Sequence, residues 1–175
     1  MINSQKAFKI LKEEGCSSEV IEHIKAVRDI SVEIAKKIKE NGHEVNVQKV
    51  KLGAIFHDIG RSVTHDISHG IKGAKILKER ELDEFVPFAE NHLGAGITKK
   101  EAEKLGLPEK NYTPQSLEEK IVAYGDNLID GKKIQSSKEA LNELKEDLGK
   151  NHESIKRFKE LHSQLKELGG IGEEI

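Results

Sequence analysis

The 175-residue sequence contains no tryptophan, one cysteine and three prolines, and only 4% of its residues are aromatic. A single cysteine, Cys16, excludes an internal disulfide, and its place between two predicted helices favours a bystander over a nucleophile. Low aromatic and proline content with 34% charged residues is typical of a helical protein with charged outer faces, not of a β-sandwich. We therefore expect an all-α fold.

Long apolar runs and an excess of one charge are also missing. No stretch approaches the roughly 18 apolar residues that span a bilayer, and the polar start MINSQKAFKI lacks the apolar region of a secretory signal. The net charge is −2, and the interspersed acids and bases leave no basic stripe for a nucleic-acid backbone and no polybasic membrane anchor. We expect a soluble, cytoplasmic protein that binds neither long nucleic acids nor membranes. The oligomeric state stays open.

Helix caps and apolar periodicity predict a series of helices and no strands. The first predicted helices are residues 4–14, ended by Gly15, a helix from Ser17-Ser18 to about Asn41, and an Asn46-capped helix that Gly60 stops. They are followed by a helix that begins at His69-Gly70, an Asp83-capped segment, and two helices that begin with the capping boxes Thr98–Glu101 and Ser116–Glu119, the second of which continues through Ile129. The final helices are Ser136–Leu148 and Asn151–Leu168. We expect one domain over residues 1–175, with a core at 17–131 and a C-terminal helical pair at 136–168.

The stretch Phe56-His57-Asp58-Ile59-Gly60-Arg61 places an imidazole beside a carboxylate at the end of an apolar run. Adjacent side chains on a helix point about 100° apart. They can therefore serve one ion only where other helices close a concave site around the helix end. By itself the pair is also compatible with a surface or capping role.

His23 and Asp126 lie on apolar helix faces. His23 has two interpretations, a core histidine bonded to a carbonyl or a metal ligand. Asp126 lies four residues after Val122 and three before Ile129, where an unpaired charge would cost several kcal/mol and so calls for a cation. Gly125 costs about 1 kcal/mol inside a helix, which indicates a close approach by a neighbouring element.

Further histidines occur at His69, which opens a helix, and at His92, which precedes a glycine-rich turn. His65 lies in a polar loop and is expected to be solvated or to contact a metal ligand without binding the metal itself. His152 and His162 are expected to be structural or solvated. A helical bundle brings side chains of facing helices into one central pocket. The residues that converge there are His23, His57, Asp58, His69, His92 and Asp126. Four imidazoles and two carboxylates exceed the needs of one closed site and would suit two ions bridged by one carboxylate.

The order His23, His57-Asp58, His69, His92, Asp126 resembles the HD-domain (HDIG) metal-dependent phosphohydrolases, in the subgroup with the extended pattern and two metals. That subgroup includes cyclic dinucleotide phosphodiesterases and HD-type hydrolases of diadenosine tetraphosphate. The chain is more similar to the latter, because it is compact and lacks the Gly-Tyr-Pro signature of the former. It also resembles uncharacterised archaeal HDIG proteins.

The resemblance implies a single-domain helical bundle with two divalent transition metals at its centre, iron or manganese first, with cobalt, nickel or zinc as alternatives. One ion would be held by His23, His57, Asp58 and Asp126, and the other by Asp58, His69 and His92. Asp58 and Arg61 would be catalytic. Arg61 would grip a substrate phosphate at the pocket rim, unless it is an ordinary surface arginine.

The function that the resemblance implies is hydrolysis of a phosphoester or phosphoanhydride bond in a small nucleotide or dinucleotide by an activated water. The sequence does not distinguish a phosphomonoesterase, a phosphodiesterase and a pyrophosphohydrolase. Two alternatives stay open, a mononuclear nucleotidase in which His69 and His92 only shape the pocket, and a non-catalytic regulatory module that binds metal or nucleotide.

Overall fold

The computed structural model describes residues 1–173, and its regular secondary structure is helical, as expected, apart from one short hairpin. The α-helices are α1 (Ser4–Glu13), α2 (Ser18–Glu40), α3 (Val47–Phe56), α4 (His69–Glu79), α5 (Val86–Glu90), α6 (Lys99–Lys104), α7 (Leu117–Asn127), α8 (Ser137–Leu148) and α9 (Glu153–Glu167). Short 3-10 turns cover Ile59–Ser62 and Asp83–Phe85, and a small antiparallel hairpin joins β1 (Ile129–Asp130) to β2 (Lys133–Ile134). Within this described part, no helix has the length and apolarity needed to cross a bilayer.

Helices α2, α3 and α7 pack on one another at the centre of the fold. Their contact is apolar, because the stripe predicted on α2 and the inner face of α3 are both buried. The residues are Val20, Ile24, Val27, Ile34 and Ile38 on α2, and Val50, Ala54, Ile55 and Phe56 on α3. Full burial of a large apolar side chain contributes roughly 1.5–3 kcal/mol. This packing fixes the three helices that carry or adjoin His23, His57-Asp58 and Asp126.

Polar caps set the starts of these helices where the sequence predicts them. The side chains of Ser17 and Asn46 each accept a backbone N–H one turn into α2 and α3. The capping boxes Thr98–Glu101 and Ser116–Glu119 both form, at the starts of α6 and α7. A cap of this kind is worth about 1 kcal/mol, so the starts of α2, α3, α6 and α7 are encoded locally.

The hairpin corrects the prediction that the chain has no strand. Helix α7 ends at Asn127, and Ile129, which was expected to extend it, instead pairs with Ile134 across a turn at Gly131. Asp130 follows on the same strand, β1. Strands of two residues are too short to leave an alternating pattern in the sequence.

The end of α3 also differs from the prediction. The helix ends at Phe56, so His57 and Asp58 lie just beyond it and not within its last turn. The chain then continues as a 3-10 turn through Gly60 instead of stopping there. A side chain at Gly60 would overlap the backbone carbonyl of His69. The turn therefore packs directly against the start of α4 and brings Asp58 close to it.

Two predicted helix starts differ from the structure. Asp83 lies inside a 3-10 turn that has no side-chain cap, so it does not cap a helix. Helix α9 begins at Glu153 instead of Asn151, and the ring of its N-cap His152 accepts the backbone N–H of Ser154. Imidazole is not among the usual capping groups, so the sequence pattern does not reveal this cap.

The C-terminal helices join the same hydrophobic core. Phe158 on α9 stacks on Tyr124 of α7 with ring centroids 5.4 Å apart. The Tyr124 hydroxyl lies 2.8 Å from Nδ1 of the buried His162, which is therefore structural. This packing supports one unit over residues 1–175, with a core at 17–131 and a pair at 136–168, although residues 174 and 175 lie outside the described part. The division itself stays a prediction.

Gly125 of α7 is in contact with Ser31 of α2, as its place in a helix interior suggested. A Cβ added at Gly125 would lie 2.5 Å from the Ser31 hydroxyl oxygen and 3.3 Å from a methyl group of Ile30. The Ser31 hydroxyl is fully buried and has no hydrogen-bond partner among the described residues. Because Asp126 follows Gly125 and His23 lies on the same helix as Ser31, this contact helps to set the distance between α2 and α7 near the site.

We predict that Gly125→Ala lowers the free energy of unfolding by about 1–3 kcal/mol, the usual cost of overpacking, although alanine is the better helix former by roughly 0.5–1 kcal/mol. The added methyl group would force α7 away from Ser31. Equilibrium denaturation measures this loss.

The matched control is Ser31→Ala, which removes an unsatisfied hydroxyl and should change stability by no more than about 0.5 kcal/mol. In the Ser31→Ala background the cost of Gly125→Ala should fall to less than half. An equal cost in both backgrounds would show that the contact with Ser31 is not the reason for glycine at 125.

Candidate metal centre

Asp58 lies at the centre of the cluster, and its two carboxylate oxygens face different imidazoles. Oδ2 lies 3.6 Å from Nε2 of His23 and 3.8 Å from Nε2 of His57. Oδ1 lies 3.1 Å from Nε2 of His69 and 3.2 Å from Nε2 of His92. The side chain of Asp58 is only 2% exposed. A carboxylate in this position can bridge two neighbouring cation sites.

Asp126 supplies the second carboxylate from the last turn of α7. Its Oδ1 lies 2.9 Å from Nε2 of His23 and 3.4 Å from Nε2 of His57. The structure thus brings together all six residues that the sequence singled out as metal ligands: His23, His57, Asp58, His69, His92 and Asp126. The carboxylates of Asp58 and Asp126 face the His23 and His57 rings from two sides.

All four imidazoles are oriented in the same way. In each ring Nδ1 lies within hydrogen-bond distance of a backbone carbonyl, at 2.6 Å for His57, 2.8 Å for His69, 2.8 Å for His92 and 2.7 Å for His23. Because a carbonyl can only accept, Nδ1 carries a proton in each ring, and Nε2 is the nitrogen that faces the cluster and that a metal ion would bind once it has lost any proton of its own. This is the usual arrangement behind metal-binding histidines.

Local chain geometry provides three of the four carbonyl acceptors. They belong to Ala54, Asp66 and Ala89, each three residues before its histidine. The fourth acceptor is Gly131 in the hairpin turn, 108 residues from His23. The sequence suggested a carbonyl partner for His23 in one of its two interpretations, but it identified none of the four acceptors. The three local ones follow from a turn of chain before each histidine, whereas the identity of Gly131 has no signal in the sequence.

The cluster keeps its carboxylates ionised despite burial. Burial alone would raise the pKa of Asp58, but the charge of His57 and the imidazoles of His69 and His92 close to Oδ1 hold that pKa well below its usual range. Burial likewise lowers the pKa of His57, but Asp58 and Asp126 outweigh it and raise that pKa to about 9. In the absence of a cation, a proton on an imidazole therefore balances part of the carboxylate charge.

Two buried atoms at the centre lack a hydrogen-bond partner among the described residues, Nε2 of His57 and Oδ1 of Asp58. Buried polar atoms are almost always satisfied, so this pair calls for a ligand. Two groups of side chains have atoms close enough to hold an ion, His23 with His57 and Asp126, and His57 with Asp58 and His92. Mixed imidazole and carboxylate donors fit a divalent transition metal.

Arg61 lies at the edge of the cluster, with its side chain 31% exposed. Its Nε donates a 2.8 Å hydrogen bond to Oδ2 of Asp58, and one terminal nitrogen lies 3.5 Å from the carbonyl oxygen of His65. Arg61 is therefore tied to the Asp58 carboxylate, which the sequence did not indicate.

The other candidates considered from the sequence lie outside the cluster. His65 is exposed, and its neighbour Asp66 supports His69 through the backbone carbonyl. Cys16 is buried, and burial raises the pKa of its thiol to about 11. A thiol with so high a pKa is a poor nucleophile.

Comparisons with known proteins agree with this geometry. The family model described as "HD domain" matches residues 20–129. The uncharacterized protein MJ0778 of Methanocaldococcus jannaschii is 50% identical over 165 residues, which cover 94% of this chain and 97% of that protein. A tRNA (cytidine(56)-2'-O)-methyltransferase of Picrophilus torridus is 38% identical over 170 residues, which cover 96% of this chain but 48% of the methyltransferase. The chain thus spans about half the length of that relative.

Among solved structures, the HD domain of the L. monocytogenes phosphodiesterase PgpH superposes with a TM-score of 0.55 at 19% identity, covering 95% of this chain and 99% of that domain. The same domain in complex with cyclic-di-AMP gives a TM-score of 0.54 at 18% identity, covering 97% and 99%. At this identity the likeness shows the fold. HD domains bind divalent metals, and this chain, with its matched residues 20–129 and its His/Asp cluster, belongs to the HD-domain family.

Proposed function

We propose that the protein is a metal-dependent phosphohydrolase that cleaves a phosphoester or phosphoanhydride bond in a small nucleotide or dinucleotide. The observation that carries the proposal is the position of Asp58, whose two oxygens face His23 and His57 on one side and His69 and His92 on the other. Such an arrangement suits two adjacent cations bridged by one carboxylate, as two-metal hydrolytic sites require.

In this proposal His23, His57, Asp58 and Asp126 hold the first cation, and Asp58, His69 and His92 hold the second. The unpartnered Nε2 of His57 and Oδ1 of Asp58 support this assignment. When bound, two divalent cations lower the pKa of a water molecule to generate a nucleophile and neutralise charge on phosphoryl oxygens. Iron and manganese are the first choices, with cobalt, nickel and zinc as alternatives.

The open side of the cluster provides a route for the substrate. The side chains of His23 and Asp126 are 19% and 20% exposed, whereas His57, His69 and His92 are buried. A phosphate would therefore approach past His23, Asp126 and Arg61. The guanidinium of Arg61, held by its Nε on Asp58, would present its terminal N–H groups to phosphate oxygens.

Adenine dinucleotides are the substrate class that we propose first. The PgpH HD domain, which shares this fold, has been solved with cyclic-di-AMP. Diadenosine tetraphosphate, expected from the sequence pattern, contains the same two adenosines. Cyclic-di-AMP offers a phosphodiester phosphorus and diadenosine tetraphosphate a phosphoanhydride phosphorus, and both are suited to in-line attack by a water molecule.

A second candidate is favoured by the relative from Picrophilus torridus, in which a similar chain forms part of a tRNA methyltransferase. In this alternative the substrate is a phosphate group on RNA. The net charge of −2 provides little non-specific attraction to an RNA backbone, so a partner domain would have to supply the binding. A mononuclear nucleotidase and a non-catalytic regulatory module are the remaining alternatives.

We predict that Mn²⁺ raises the melting temperature of metal-free protein. Binding at about 100 times the dissociation constant stabilises the folded state by about 2.7 kcal/mol, which corresponds to roughly 5–10 °C for a chain of this size. The matched control is Asp126→Asn, which keeps the volume but removes a charge and should reduce the shift by at least half. No shift in the wild type, or an equal shift in the variant, would contradict the proposed site.

His92→Ala should remove close to one metal equivalent per chain and lower turnover by on the order of a hundredfold or more, because the proposal assigns His92 to the second cation alone. Asp58→Ala should lower the binding of both metal equivalents and abolish turnover. Elemental analysis and a hydrolysis assay on the same samples measure both effects. His65→Ala is the control, since His65 is exposed outside the cluster, and it should change neither. If active wild type binds one metal and His92→Ala changes nothing, the mononuclear alternative replaces this proposal.

A substrate panel separates the candidate functions. We expect metal-loaded wild type to hydrolyse cyclic-di-AMP or diadenosine tetraphosphate at least tenfold faster than an RNA with a terminal phosphate, judged by kcat/KM. Faster cleavage of the RNA would favour the second candidate. Metal-loaded protein that is inert on mono-, di-, cyclic and dinucleotides and on RNA would support the regulatory module.

Arg61→Lys is predicted to lower kcat/KM by about 10- to 100-fold while leaving metal content near the wild-type value. A lysine keeps the charge but cannot bond Asp58 through one nitrogen and a phosphate through two others. Steady-state kinetics with metal analysis measures the effect. Unchanged kinetics in Arg61→Lys and in Arg61→Ala would show that Arg61 is an ordinary surface residue.

A further inference from the structure

His23 differs from the other three imidazoles in what fixes its orientation. His57, His69 and His92 are buried, and the rings of His57 and His92 pack edge to face with centroids 4.9 Å apart. Their Nδ1 atoms also bond carbonyls of their own turns. The His23 side chain is 19% exposed, so packing restrains it less. Its orientation depends more on hydrogen bonds.

Both partners of the His23 ring come from one short segment of chain. Nε2 lies 2.9 Å from Oδ1 of Asp126, at the end of α7, and Nδ1 lies 2.7 Å from the carbonyl oxygen of Gly131, in the hairpin turn that follows. Ile129 of β1 is buried in the core, and β1 packs against α2. The His23 ring is therefore held on one side by Asp126 and on the other by Gly131, which lie five residues apart, before the hairpin and in its turn.

The turn at Gly131 requires a backbone conformation that most residues avoid. Its φ is +61°, in the left-handed region, yet a Cβ placed there would meet no atom within 4 Å. Substitution at 131 is therefore limited by backbone conformation and not by space. Asparagine tolerates this region, whereas a β-branched residue such as valine does not.

We propose that the β1–β2 hairpin is a positioning element for the metal centre. The carbonyl of Gly131 fixes the tautomer and the ring orientation of His23, so that Nε2 faces Asp126 and the first cation. The hairpin thereby controls the affinity of one of the two cation sites and leaves the other, which relies on His69 and His92, unaffected. This inference rests on the proposed function in two respects, that His23 is a ligand and that the centre holds two cations.

The test is a calorimetric titration of metal-free protein with Mn²⁺, comparing wild type with Gly131→Val and Gly131→Asn. Valine should rotate the turn and withdraw the carbonyl from His23. We expect Gly131→Val to weaken one of two equivalents by about 10- to 100-fold, the usual cost of losing a partner behind a metal-binding histidine. Gly131→Asn should stay within about threefold of wild type. The other equivalent should be unchanged in both.

A double-mutant cycle tests whether the hairpin acts through His23. His23→Ala alone should weaken the same equivalent, and adding Gly131→Val to it should cause no further loss. Melting temperatures identify variants that are not folded, and Gly131→Ala, a milder change of backbone preference, takes the place of Gly131→Val if that variant does not fold.

Three outcomes would overturn the inference: Mn²⁺ binding by Gly131→Val equal to wild type, an equal loss in Gly131→Asn, or a further loss in the double mutant. These leave the metal centre itself intact. Wild-type protein that binds no Mn²⁺ would instead overturn the proposed function. The two failures are thus distinguishable in one set of titrations.

Discussion

The structure depends on one buried carboxylate, Asp58, which must remain ionised in the interior. Burying an unpaired carboxylate costs several kcal/mol, and here the compensation comes from imidazoles on both sides of the group. Because those imidazoles belong to separate elements, α2, the end of α3, the start of α4 and the segment after α5, the charge can be satisfied only when the whole bundle has assembled. The same arrangement makes the centre a site for cations.

Close approach between elements is what brings these groups within reach. The 3-10 turn after α3 packs its Gly60 backbone against the start of α4, next to Asp58 and His69, and Gly125 lets α7 approach α2. Each imidazole is then oriented by a carbonyl at Nδ1, in three cases from its own turn and for His23 from the hairpin. The orientation of the imidazoles thus arises mostly from local turns, whereas the distances between them arise from long-range packing.

The features that could be predicted are those that leave a recognisable pattern in the sequence. The caps at Ser17 and Asn46 and the apolar stripe of α2 follow from short-range patterns, and the ordered histidines and aspartates indicated which side chains converge. For His23 the structure shows the predicted bond to a carbonyl at one nitrogen, while the other nitrogen faces Asp126. Its role as a metal ligand stays a prediction. The hairpin could not be predicted, because its strands have two residues each and its contact with His23 spans 108 residues. The bond from Arg61 to Asp58 likewise arises only from the turn after α3.

The central claim is that Asp58 bridges two cations. A crystal structure of metal-loaded protein, with anomalous scattering measured at the absorption edge of the metal, tests it most directly. We expect two anomalous peaks about 3.5–4 Å apart, with one oxygen of Asp58 on each, His23 and Asp126 on the first and His69 and His92 on the second. A single peak in fully loaded, active protein, or two peaks of which Asp58 contacts only one, would contradict it.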